Sequence, residues 1–389
     1  MDKKAILRAV WFTPGPNKRW GIPLLFTGSP GVGKSSVIEG LAEDLNVPIK
    51  TLIASLREPS DFGGLPIPQD NGSVTYSPPN WAFDLCNVPN GIGVAFFDEI
   101  TTCAPATQAA LLRIILNGAV GDLQLPPGIR MVSACNPTDE AAGGWDLAPP
   151  LANRFAHLDW ERPTGRDWCD WLVGGAGDED EAESFDPLKE QERVMKHWHT
   201  HFAKARGLIS GFIQRRPDLL FNMPKAGHPG SAKAWPSPRS WELATRCIAG
   251  AKLHGLSDVD EECLISATVG PAASAELITW IHEADLPDPV AVLDGKVKFE
   301  HDKRRLDRTL AVLNSCAAYI KPKTVEKRVE RGDKLWELII DIYDEAPDLI
   351  ITSARTLTTN GLYKSETSRK GLKTVNDFLR EAGITAKSR

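Results

Sequence analysis

Eight consecutive residues, Gly28-Ser29-Pro30-Gly31-Val32-Gly33-Lys34-Ser35, carry the strongest chemical signal in the chain. They satisfy the pattern G-x-x-x-x-G-K-[ST] in full. Glycines let successive backbone N–H groups wrap a phosphate, and a helix opening at Lys34, Ser35 and Ser36 adds the partial positive charge of its N-terminus. That spacing puts the Lys34 ammonium at terminal phosphates and the Ser35 hydroxyl on Mg2+. Downstream, Val94-Ala95-Phe96-Phe97-Asp98-Glu99 reads as an apolar strand tipped by two carboxylates. At such a tip Asp98 can hold the hydration shell of Mg2+, and Glu99 can polarise water as a general base. A further strand, Met131–Cys135, ends at Asn136, whose amide could orient that water, although Asn-Pro also opens ordinary turns. Two arginines complete the set. Arg154, in Leu151-Ala152-Asn153-Arg154-Phe155, is either a structural surface arginine or a finger reaching the nucleotide of a neighbouring subunit. Arg239 stands in a first helical turn, where the macrodipole disfavours a cation unless it faces an anion.

These residues need a rigid frame. The first ~160 residues alternate short apolar runs with helical patterns, as a helix-covered parallel sheet requires. The runs Leu24–Thr27, Ile49–Ala54, Val94–Phe97, Met131–Ala134 and Ala156–Leu158 predict its strands, apolar on both sides because both faces are covered. Val37, Ile38, Leu41, Ala42 and Leu45 recur at helical spacing before Pro48, and a second helix opens near Pro105 and stops at Asn117-Gly118. Residues 57–92 are rich in Gly, Pro and Asn, and a loop of this length inside a compact domain predicts a functional insert. Residues 120–127 predict a small hairpin. After Pro163 the pattern turns helical, with helices near 189–214, 239–254, 260–269 and 274–284 and an acidic surface segment from 178 to 193. Amphipathic stripes at Leu306–Ile320 and Leu335–Ile342 mark a C-terminal module from 286 to 389. The expected organisation is therefore an α/β core over 1–163, a helical lid over 164–285 and that mostly helical module.

Composition narrows the class. Of 389 residues, 45 are basic and 51 acidic, a net charge of -6 that does not advertise a nucleic-acid binder. No stretch approaches the roughly 20 apolar residues of a membrane-spanning helix, and the N-terminus lacks a signal-peptide apolar core. The seven cysteines never fall as C-x-x-C. That excludes a disulfide framework or a Cys-based zinc site and fits a reducing, cytoplasmic setting.

Taken in order, these motifs resemble the AAA+ ATPases, and within them the MoxR family. The resemblance covers residues 1 to about 285. It implies an α/β P-loop core, ATP and Mg2+ as ligands, and the hydrolysis of ATP. It makes Asn136 sensor 1, Arg154 the arginine finger acting on a neighbour, and Arg239 a sensor 2 acting within its own subunit. The insert at 57–92, with Asp61-Phe62-Gly63-Gly64, resembles a helix-2 insert, and the hairpin at 120–127 a pre-sensor insert. A homo-oligomeric ring, commonly a hexamer, is implied as well. So is the remodelling of a protein substrate, often beside a von Willebrand factor A domain partner, here on a separate chain because no Asp-x-Ser-x-Ser motif occurs.

Weaker signals have bland readings. His197, His199 and His201 fit a packed or surface cluster better than a metal site, because His199 points away from the other two on a helix. Trp81, in the insert, is either core or an aromatic that grips a substrate. Residues 301–332 carry nine basic and four acidic side chains. A solvated helix face explains them, or a contact to nucleic acid. The latter supports an alternative function, a McrB-like or defence-system motor acting on nucleic acid. A nucleotide-gated scaffold that scarcely turns over is a third reading, against which Glu99 argues.

Overall fold

The computed structural model describes residues 2–137, 140, 144–174, 185–225 and 227–381. The acidic stretch at 178–184 lies outside the described residues. The chain divides into two compact units, Met1–Trp198 with Phe221–Ser274, and His199–Leu220 with Ala275–Arg389. The segment read as a lid, 164–285, is thus shared between both.

Unit 1 is built on a parallel sheet of β1 (Leu24–Thr27), β2 (Ile49–Ile53), β5 (Gly93–Asp98), β8 (Ile129–Cys135) and β9 (Ala156–Asp159), in the order β2-β5-β8-β1-β9. Two antiparallel hairpins accompany it, β3 (Leu65–Pro68) with β4 (Val74–Ser77), and β6 (Ala119–Val120) with β7 (Leu123–Gln124). Successive strand residues feed opposite cores. Leu24, Phe26, Val94, Phe96, Val132 and Ala134 enter one, and Leu25, Ala95, Phe97, Met131 and Cys135 the other. This two-sided burial is why β1 and β5 read as nearly unbroken apolar runs rather than as alternating ones.

The helices of this unit are α1 (Lys3–Trp11), α2 (Lys34–Asp44), α3 (Ser60–Gly63), α4 (Asn80–Cys86), α5 (Pro105–Asn117), α6 (Pro149–Ala152), α7 (Gly165–Gly174), the start of α8 (Pro187–Arg215), α9 (Pro238–His254), α10 (Asp258–Val269) and the start of α11 (Pro271–Ala284). The insert is an ordered structure of α3, the β3–β4 hairpin and α4. Trp81 belongs to the core. It is buried against Phe62 and Phe97, and its indole N–H donates to Asp61 O at 2.9 Å. The insert exposes other apolar groups, namely Leu65, Ile67, Val74 and Tyr76 on the hairpin. The second hairpin meets the first through Tyr76 N, which donates to Asp122 Oδ2 at 2.7 Å.

Unit 2 is helical: the remainder of α8 and α11, then α12 (Pro289–Leu293), α13 (Leu306–Ile320), α14 (Arg328–Tyr343), α15 (Pro347–Thr359) and α16 (Glu366–Glu381). Its core gathers Leu313, Cys316, Trp336, Ile339, Ile350 and Leu357. Gly207 and Gly211 let α8 press against α13: a Cβ at Gly207 would lie 1.7 Å from Ser315 Oγ, and one at Gly211 2.6 Å from Ala311 Cβ. His199 stacks on Tyr319. Asp307 accepts from Trp280 Nε1 at 2.6 Å and Arg215 Nη1 at 2.8 Å; burial pushes its carboxyl up, and these bonds with that from Arg305 hold it well below the ordinary range.

Four of the five arginines in the basic run at 301–332 are engaged inside this unit. Arg305 donates to Glu283 O at 3.0 Å, Arg308 to Ala284 O at 3.1 Å and Arg328 to Ile320 O at 2.8 Å, each at the carboxyl end of a helix. Such carbonyls lack intrahelical partners and favour a cation. Arg331 pairs with Asp294 at 2.7 Å. No helix among the described residues is long and apolar enough to cross a membrane.

Candidate active site

The strand order gathers the chemical residues at the carboxyl edge of the sheet. Thr27 of β1 is level with Cys135 of β8, and Phe97 of β5 with Ser133 of β8. The tip of β8, carrying Asn136, therefore stands between Asp98 and the loop that leaves β1. That loop, Gly28 to Gly33, turns into α2 at Lys34, with Ser35 and the exposed Ser36 in its first turn. Gly31 and Gly33 have φ of +76° and +84°, values that favour glycine, and a Cβ on either would meet nothing within 4 Å. The backbone is therefore open to its surroundings at both glycines, with Ser29, Pro30 and Val32 between and before them.

Lys34 is only 7% exposed, and its ammonium donates to Gly28 O at 2.7 Å, Ser29 O at 3.0 Å and Asn136 Oδ1 at 2.9 Å. Burial lowers its pKa, while Asp98 foremost, with Glu140 and Glu99, pulls the other way. The three partners of this buried ammonium are neutral oxygens, so none of them supplies a counter-charge. Ser35 Oγ donates to Asp98 Oδ2 at 2.7 Å, so a hydroxyl and a carboxylate, both hard oxygen donors, already converge. They fit Mg2+.

Glu99 follows with a backbone φ of +57°, in the left-handed region that a non-glycine residue enters at a cost. Its amide is tied to Asp98 Oδ1 at 2.8 Å. Its carboxylate accepts a hydrogen bond from Ser55 Oγ, just past β2. Sequence reasoning missed Ser55; its one signal was its position after a strand that pairs with the Asp98 strand.

Arg154 and Arg239 stand elsewhere. β9 runs parallel to β1, with Ala156 beside Leu24 and Asp159 beside Thr27, so Arg154, two residues before Ala156, lies at the amino edge of the sheet. About 10 Å of strand separates that edge from the phosphate loop. Arg239 is brought to the same edge. Ser237, the N-cap of α9, donates from Oγ to Asn153 Oδ1 at 2.7 Å, and Asn153 Nδ2 donates to Trp235 O at 3.2 Å. Burial, with Arg239 close by, lowers the Arg154 guanidinium from its ordinary value. The cap that starts α9 is thus fastened to Asn153, the residue beside Arg154.

Residues 23–155 match the family model for the AAA domain of the dynein-related subfamily. The α/β unit is an AAA+ core. The matched span runs from the start of β1 to the residue before β9, and so takes in the phosphate loop, Asp98, Glu99, Asn136 and Arg154 of this AAA+ core. No curated protein matches the chain.

Proposed function

We propose that the chain hydrolyses ATP with Mg2+ as a MoxR-like ring, and that the cycle remodels a protein partner. The observation that carries the reading is the convergence of Lys34, Ser35, Asp98 and Asn136 around an open, glycine-lined loop. Lys34 with the Gly31 and Gly33 backbone would bind the phosphates, and Ser35 with Asp98 would hold Mg2+. The bound metal would neutralise charge that develops on the transferring phosphoryl group. Glu99, freed from Ser55, takes a proton from water at its carboxylate, and Asn136 orients that water. Arg154 and Arg239, side by side on the opposite edge, serve the nucleotide of a neighbouring subunit. MoxR kinship, a six-membered ring, a von Willebrand factor A domain partner and ATP over GTP rest on the family resemblance of the motifs.

A motor on nucleic acid remains the second reading, for which the basic run spoke. Three of its five arginines are bound to helix ends and a fourth pairs with Asp294, and that favours the protein remodeller. Retention on DNA that falls steeply with salt would reverse the preference, since phosphate contacts release counterions. The deciding experiment is the native mass of Glu99→Gln with and without Mg-ATP. Assembly to about six subunits with ATP supports the ring; a monomer in both conditions, with no ATPase in the unmutated protein, overturns it.

A further inference from the structure

We propose that Arg162 binds the phosphates of the nucleotide in its own subunit, and that Glu140 holds it in place until that anion arrives. This rests on the nucleotide-binding reading above and adds a residue to it. Beyond β9 the chain continues along the phosphate loop rather than leaving it. Trp160 N donates to Thr27 O at 2.6 Å, and Trp160 Nε1 to Val32 O at 3.2 Å. Gly28 lies so close that a Cβ there would be 2.5 Å from Trp160 O. Two residues on, the Arg162 guanidinium reaches Ser29 Oγ, at 3.2 Å from Nε and 3.1 Å from Nη2. Its Nη2 also stands 3.5 Å from Glu140 Oε1.

The environment of Arg162 differs from that of the arginines that build unit 1. Arg19 donates to three backbone carbonyls, and the buried Arg130 to two. Arg162 has a side chain 73% exposed, and its acceptors among the described residues are one hydroxyl and one carboxylate at long range. It keeps donors in hand at the rim of the loop. The electrostatics call for such a cation. Asp98, Glu99 and Glu140 all act on the single ammonium of Lys34. A nucleoside triphosphate stays anionic with one Mg2+ bound, and Arg239 is at the far edge of the sheet.

Glu140 comes from the turn after Asn136, its amide donating to Pro137 O at 3.0 Å. It couples that strand tip to Arg162 by an exposed ion pair, a weak interaction in water. A phosphate takes two parallel N–H bonds from a guanidinium and displaces such a partner.

The test titrates fluorescent ATP and ADP analogues into the full-length protein and the variants Arg162→Ala, Arg162→Lys, Glu140→Gln and Lys34→Ala, with melting temperatures alongside. Arg162→Ala is expected to weaken ATP binding about tenfold and Arg162→Lys less. Glu140→Gln is expected to tighten it by roughly two- to threefold, a gain that simple loss of structure does not produce. Unchanged affinity in Arg162→Ala, while Lys34→Ala loses binding, overturns the role of Arg162 and leaves the nucleotide site standing. No binding by the unmutated protein overturns both. Should Arg162→Ala unfold, unchanged affinity in Glu140→Gln and Arg162→Lys overturns the proposal.

Discussion

In the proposed cycle, Ser55 is the residue that restrains Glu99. Its hydroxyl occupies the Glu99 carboxylate, and a general base with a hydrogen-bond donor on it is a poorer acceptor for a proton from water. Ser55→Ala should raise basal ATP turnover severalfold, read as phosphate release, whereas Glu99→Gln should lower it by about a hundredfold or more. Equal turnover in Ser55→Ala and the unmutated protein would mean that this bond restrains nothing. Lys34, Asp98, Glu99 and Asn136 were legible because their chemistry demands fixed types at fixed places beside strands. Ser55 and Arg162 were not. A serine after a strand and an arginine before a proline have no spacing rule, and only the sheet order brings each to its partner. Arg239 shows the converse limit. A cation in a first helical turn asks for an anion nearby, but sequence cannot say at which sheet edge that helix begins.

Among the elements, α9 is fixed at both ends. At its start, Ser237 and Ser240 form a reciprocal capping box, and the Ser237 hydroxyl also reaches Asn153. Ser237→Ala removes the bond from Ser240 N–H and the bond to Asn153, so unfolding in urea should show a loss of about 1–2 kcal/mol. Turnover should fall as well if the cap is what sets Arg239 beside Arg154. At its end, the His254 side chain is only 7% exposed, and this desolvation foremost lowers its pKa to about 4 despite Glu190, whose Oε1 is 3.6 Å from Nδ1. The ring is then neutral at pH 7. Between about pH 6.5 and 4 the unfolded chain binds a proton there that the folded chain refuses, so stability is full above this window and falls with pH through it. The loss amounts to roughly 3 kcal/mol at the acid end. His254→Asn should flatten denaturation midpoints measured from pH 7 to 4.5, and an unchanged slope would put the titrating group elsewhere. The long helices were legible from their periodicity, whereas the β3–β4 hairpin was not: two prolines in β3 and apolar side chains facing solvent hide the usual alternation.

On the scale of the whole molecule, the proposed function assigns the two arginines at the amino edge to the phosphate loop of a neighbouring subunit. Subunits carrying Arg154→Ala should therefore be inactive alone and regain ATPase when mixed with Lys34→Ala subunits, because mixed rings contain intact sites. Arg239→Ala should behave in the same way; no rescue in verified mixed rings would return Arg239 to its own subunit. The two-unit division was the least legible feature. Helical periodicity marks α8 as one continuous helix and gives no sign that its second half packs in unit 2, where Gly207 and Gly211 meet α13. That crossing has a consequence in time. Residues 221–274 belong to unit 1 and are made in between, so the glycine-bearing face of α8 leaves the ribosome some hundred residues ahead of the surface it needs. At bacterial or eukaryotic elongation speeds the wait is on the order of ten seconds. Through it, a nascent chain carries an unsatisfied helix face that a chaperone can hold, and a synonymous change that slows translation between the two segments lengthens that exposure without altering a single residue.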